Sequence, residues 1–212
     1  MRRVVWVALV LCATACSPTS RPDSAAIIVV DTLRADHLGF YGYSRPTSPA
    51  LDALAAQGLV FERAYSTSPW TLPSFGSLLT GRPPSEHLAG LRVTVDGVPS
   101  FTPLSKAMPT LAELLGIHYW ATGAVVNNAF LTARSGIARG FDHYDYDESD
   151  RRADASVDAA LAWLAGRGDQ HFFLLLHLFD PHLPYDAPPP FRDRFTGPRP
   201  AGEKAPGHPP DP

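Results

Sequence analysis

The chain has 212 residues, of which 45% are hydrophobic and 18% charged, and a formal net charge of −3 at pH 7. This is the composition of a weakly acidic globular protein. With no basic stripe or block past the first few residues, it excludes nucleic acid as a partner. The alternation of elements along the chain then sets the fold class. Residues 25–30 (AAIIVV) form a short apolar, β-branched run that predicts a buried strand, closed by Asp31. Ser48, Pro49 and LDALAAQG predict a helix with a serine cap, proline in its first turn and Gly58 at its end. A strand is expected near residues 59–65, leading into TLPSFGSLLTG at 71–81. There Pro73 suits a first helical turn, and Phe75, Leu78 and Leu79 supply an apolar face.

Further on, TLAELLG from Thr110 predicts a helix and HYWATGAVVNN a strand, followed by an acidic tract at Asp142, Asp145, Asp147 and Glu148. That tract fits no EF-hand spacing and reads as a solvated loop. Residues 153–166 have helical spacing, HFFLLLHLF from His171 is an apolar run of strand length, and FDPHLPYDAPPPF follows. His177, inside the apolar run, reads as a satisfied core histidine. Residues 181–212 hold 11 of the 22 prolines and few aliphatic residues, so they read as a loop or tail. Strands alternating with helices predict an α/β, doubly wound sheet with helices on both faces. In such sheets ligands gather beyond the carboxyl ends of the strands, where Asp31 lies. Thr71, at the mouth of its helix, lies where free amides and the helix dipole favour an oxyanion or alkoxide; a plain helix cap is the alternative.

Residues 71–81, with Pro73, Ser74, Leu78, Thr80 and Gly81 in register, resemble the nucleophile segment of the sulfatase family in the alkaline phosphatase superfamily. So does the run from Asp31 through Arg-Ala-Asp-His, Tyr-Gly-Tyr and Thr-Ser-Pro, and so does Asp-Pro-His-x-Pro-Tyr near residue 182. The resemblance implies an alkaline phosphatase-like fold over residues 25–195, only the N-terminal portion of the family domain. It implies one divalent metal ion (Ca, Mg, Mn or Zn) ligated by Asp31 and Thr71. It also implies that Thr71 is the nucleophile and that His182 contacts the substrate and assists the leaving group. Asn127 is expected in the slot of a substrate-contacting family lysine, and Ala129 in that of a histidine. Phe75 replaces an arginine, and Thr32 a second metal-binding aspartate. Arg34, Asp36 and His37 are expected to form a structural loop whose charges pair with each other or with solvent.

Family sulfatases oxidise a Cys or Ser at the nucleophile position to formylglycine, and threonine cannot form that aldehyde. Direct attack by Thr71 on a phosphoryl-type centre is the chemistry left open. The substrate is expected to be a small-molecule, glycan or lipid ester of sulfuric or phosphoric acid. No stretch resembling the family's later Ser-Asp-His-Gly metal segment follows residue 182. The chain is therefore expected to be a truncated reading of a longer enzyme, with a truncated, noncatalytic exported lipoprotein as the alternative.

Location is set by MRRVVWVALVLCATAC, which has two arginines, an apolar run short for a membrane span, and small residues before a cysteine. Ala13-Thr14-Ala15-Cys16 resembles a bacterial lipoprotein signal with Cys16 lipidated, although Ala13 stands where leucine is usual; ordinary cleavage after Ala15 is the alternative. Both predict export to the bacterial cell envelope, periplasm or cell surface, and lipidation adds a membrane tether through Cys16. Residues 16–24 read as a linker. Loss of Cys12 with the signal leaves one cysteine, so no intrachain disulfide.

Overall fold

The computed structural model describes residues 24–148, 151–183, 185 and 187–194. The expected signal, Cys16 and the tail from 196 lie outside them. The first strand, β1 (Ser24–Val30), runs to Asp31 and a loop. There Arg34 grips the Asp36 carboxylate at 2.9 and 2.6 Å while His37 lies 3.0 Å from it, the internal pairing expected of that loop. Helix α1 (Pro49–Ala55) follows. Ser48 precedes it without capping it: its hydroxyl instead accepts from Gly39 N–H and donates to Asp52, tying the loop to the helix. Residues 59–65 are not a strand. Leu59, Phe61 and Tyr65 are exposed there, so no sheet neighbour rewards their β propensity.

Helix α2 (Thr71–Thr80) ends at Gly81 in the left-handed region, and α3 (Pro84–His87) folds back against it. The buried His87 ring locks the two helices. Its Nδ1 accepts from Ala89 N–H at 3.0 Å, which leaves Nε2–H to donate to Ser77 Oγ at 3.0 Å. Burial holds the His87 pKa below its ordinary value, which keeps that neutral tautomer. Next comes the hairpin β2 (Arg92–Val95) and β3 (Val98–Phe101) around Asp96-Gly97, both at positive φ. Helix α4 (Leu111–Ile117) starts with a full capping box between Thr110 and Glu113. The strands β4 (Ala121–Asn127) and β5 (His143–Asp147), helix α5 (Ala153–Ala165), strand β6 (Phe172–Leu178) and the short α6 (Phe191–Arg194) complete the order. The acidic tract expected as a loop is thus largely the edge strand β5, with the Asp145 carboxylate paired to Arg151 at 2.9 Å.

The main sheet is wholly parallel in the order β1-β6-β4-β5. The chain steps outward from β4 to β5, then returns through α5 to insert β6 between β4 and β1. Strand parity divides two cores. Ala124, Val126, Phe173 and Leu175 face α2 and α4 and pack with Leu72, Phe75 and Leu79. Val125, Leu174 and Leu176 face α5 and pack with Ala160 and Trp163. Strands β4 and β6 are therefore covered on both sides. Asp31 and Thr71 do not sit on consecutive strand ends, because residues 59–65 add no strand; Asp31 ends β1, and Thr71 starts a helix lying over the sheet.

Candidate active site

The parity that builds the core also aims the site. Ile27 and Val29 of β1 face α2, and Asp31, two residues on, falls on the same side. On β6 the alternation of Phe173 and Leu175 brings His177 to that face as well. His177 Nδ1 accepts from Asn127 N–H at 3.4 Å, so Nε2 carries the proton and donates to Asp31 Oδ2 at 3.2 Å. The ring is wholly buried and meets Phe75 edge-on at 5.3 Å. Burial alone would raise the Asp31 pKa. The hydrogen bond and electrostatic attraction from His177, the attraction from His182 and the Asn128 amide together outweigh burial and leave the carboxyl below its usual value. Asp31 is thereby held as an oxygen-rich anion.

Thr71 is the first residue of α2, and Trp70 is its N-cap. The opening amides of a helix lack acceptors within it, and Pro73 supplies no N–H, so the groups beside Thr71 are suited to an anion. The loop ahead of α2 is fastened by Ser74, whose hydroxyl donates to Ser68 O at 2.8 Å and lies 3.0 Å from Ser66 Oγ. Asn128 joins the two halves. Its Nδ2 lies 3.2 Å from Thr71 Oγ1 and 3.4 Å from Asp31 Oδ2, while its Oδ1 accepts from Phe130 N–H at 2.9 Å. The Phe130 bond fixes which end of the amide faces the site. Asn128 holds φ at 104° and Thr32 at 55°, both in the left-handed region that disfavours a side chain. Both residues lie just past the points where β4 and β1 deliver their residues to the site.

Of the residues singled out from sequence, Asp31, Thr71 and His182 line one cavity of about 690 Å³. His182 stacks on Phe179 at 4.4 Å, and its Nδ1 lies 2.8 Å from Leu183 O, so Nε2 is the nitrogen left free of that bond. Asn127 does not line the cavity. It shares parity with Val125 and therefore points to the α5 face, donating to Ser156 Oγ at 2.9 Å and His177 O at 3.2 Å and accepting from Arg151 Nε at 2.9 Å. Its neighbour Asn128, just past the strand and turned by its positive φ, occupies the place expected of Asn127. Sequence reading also passed over His177 as a partner of Asp31, although counting by twos along the strand would have found it. Trp70, Phe130 and Glu148, also in the lining, carried no comparable signal.

The donor chemistry suits a hard divalent cation, since Asp31 and Thr71 both offer oxygen. Two donors are fewer than such an ion takes, and among the described residues no group of three or more His, Cys, Asp or Glu could complete the shell. Among the same residues, no helix is long and apolar enough to cross a membrane.

The Sulfatase family model matches residues 26–207. Human (Homo sapiens) arylsulfatase A is 36% identical over 115 residues, which are 54% of this chain and 22% of that protein. Mouse (Mus musculus) steryl-sulfatase is 35% identical over 114 residues, 51% of this chain and 18% of that protein. The chain thus spans about a fifth of the length of these relatives. Among solved structures, the phosphonate monoester hydrolase of Agrobacterium radiobacter superposes with a TM-score of 0.62 at 18% identity, over 80% of this chain and 43% of that one.

Proposed function

The chain belongs to the sulfatase family of the alkaline phosphatase superfamily, and from that premise we propose that it carries the nucleophile segment of an ester hydrolase working through an unmodified Thr71. The observation that supports this reading most directly is the Asn128 amide, which joins Thr71 Oγ1 and Asp31 Oδ2 at the mouth of α2. Oxidation of a threonine side chain gives a ketone, so the formylglycine route is closed. The hydroxyl itself is the available nucleophile, which favours phosphoryl over sulfuryl esters.

A divalent ion held by Asp31 and Thr71 would supply positive charge that lowers the pKa of the hydroxyl. The Asn128 side-chain amide, donating through Nδ2 to Oγ1, orients the hydroxyl and leaves a lone pair toward the cavity. The opening amides of α2 face charge that develops on the phosphoryl oxygens. As the Oγ1–P bond forms, the Thr71 hydroxyl proton passes to solvent and the bond from phosphorus to the substrate alcohol breaks. His182 in its imidazolium form gives the Nε2 proton to the departing oxygen. Water then cleaves the Thr71 phosphoester at phosphorus, its proton restoring the Thr71 hydroxyl and its oxygen leaving in the phosphate.

Rapid quenching of a reaction with p-nitrophenyl phosphate, followed by mass spectrometry of the peptide bearing Thr71, should find a phosphoryl adduct. Thr71→Ala should lose both adduct and turnover; full turnover by that variant would overturn the assignment. The alternative reading is an exported lipoprotein that does not turn over substrate. Titration with Mn2+ separates them: an enzyme takes up one ion and loses it in Asp31→Asn, whereas a noncatalytic protein takes up none.

A further inference from the structure

The cavity bearing Asp31 and Thr71 is poor in positive charge. Its carboxylates are Asp31 and Glu148, and among the described lining residues no lysine or arginine offsets them; His182 is the one group there able to become cationic. What the wall has instead is aromatic surface. Trp70 and Phe130 meet edge-to-face at 5.2 Å, and both rest against Phe101, at 4.9 and 5.9 Å. The indole is further fixed by Gly90, where an added Cβ would come within 2.6 Å of it. These rings are held in place before any ligand arrives.

Aromatic faces carry negative charge density and attract diffuse cations, most of all when a carboxylate stands nearby. We infer that the substrate of this site is a phosphoric ester of an amino alcohol, its ammonium group set against Trp70, Phe130 and Glu148 while its phosphoryl group meets Thr71. The inference rests on the hydrolase reading for the reacting half of the ester and adds the identity of the other half. A sulfated sugar would bring no cation to the aromatic wall.

Calorimetric titration of the full chain in saturating Mn2+, with phosphocholine, inorganic phosphate and glucose 6-sulfate as probes, tests this. Phosphocholine should bind about tenfold or more tightly than phosphate, the size of effect one desolvated cation–aromatic contact supplies. Trp70→Leu and Glu148→Gln, each verified as folded by its unfolding midpoint, should narrow that ratio severalfold. Equal affinities, or a preference for glucose 6-sulfate, would overturn the inference while leaving the Thr71 hydrolase standing. Uptake of Mn2+ with no probe bound would overturn it as well. Failure of the Thr71 adduct to form, with the phosphocholine preference intact, would instead count against the catalytic reading alone.

Discussion

The centre of the sheet and its β1 edge are built to different standards, although both deliver residues to one site. Strand β4 is buried at every position and β6 at all but its ends, with α2 and α4 on one face and α5 on the other. On β1, Ile27 and Val29 reach the α2 core, yet Ile28 on the opposite face is 59% exposed because α5 covers β4 and β6 and stops short of it. The region after α1 continues this pattern, with Leu59, Phe61 and Tyr65 exposed. Thr71, Asn128 and His177 therefore stand on packed ground, while Asp31 depends on its pairing with β6 and on the His177 bond. A site of this kind should tolerate changes along one wall and not the other.

Truncations in the two regions measure the difference directly. Leu175→Ala, at a wholly buried position, should cost about 2–5 kcal/mol in urea unfolding, whereas Ile28→Ala should stay within about 0.5–1 kcal/mol. Equal costs would break the comparison. Gly123→Ala tests the centre from the other direction. Its new Cβ would lie 2.5 Å from the Trp163 ring, so overpacking should cost about 1–3 kcal/mol even though only one carbon is added. Thr32→Gly comes next in size. It relieves a β-branched residue at φ 55° on the edge strand's end and should change stability by at most about 1 kcal/mol, in the stabilising direction if strain outweighs the added chain entropy. A clear loss would mean that the Thr32 side chain makes contacts worth more than the strain.

What the sequence revealed follows the same division. Continuous apolar runs such as FFLLL and ATGAVV could be assigned as buried strands because burial on both faces demands them, and a third strand, AAIIVV, was recognised by the same run even though one of its faces is open. The segment at 59–65 has similar residue types, but no neighbour pairs with it, and propensity without a partner misled. Asp31, Thr71 and His182, which line one cavity, each stood out in the sequence at the end or start of an element or in a recognisable motif. Asn128 was missed by one residue: the register was taken from a motif, while the side chain's direction was decided by strand parity and a positive φ. The Asp96-Gly97 pair was a readable hairpin signal left unused, and the hairpin it closes ends in Phe101, which steadies Trp70 beside Thr71.

The smallest expected effect lies in the pH dependence of the edge itself, and it separates what holds Asp31 from what merely surrounds it. In the unfolded chain its carboxyl titrates near the ordinary value, about 4, and in the folded protein below it. A lowered folded pKa means that the unfolded chain binds the proton first on acidification. The contribution of Asp31 is then present in full above about pH 4 and lost as pH falls through the folded value. Replacing His177 with leucine removes the donor and leaves burial, which raises the pKa, opposed only by His182 and Asn128. The stabilising charge of Asp31 should shrink or reverse, so wild type should outlast His177→Leu by more at pH 7 than at pH 3 in urea midpoints. If the gap is the same at both, the His177 ring supports β1 by packing against Phe75 and its hydrogen bond to Asp31 adds nothing measurable, leaving this edge of the site even more lightly fastened than the distances indicate.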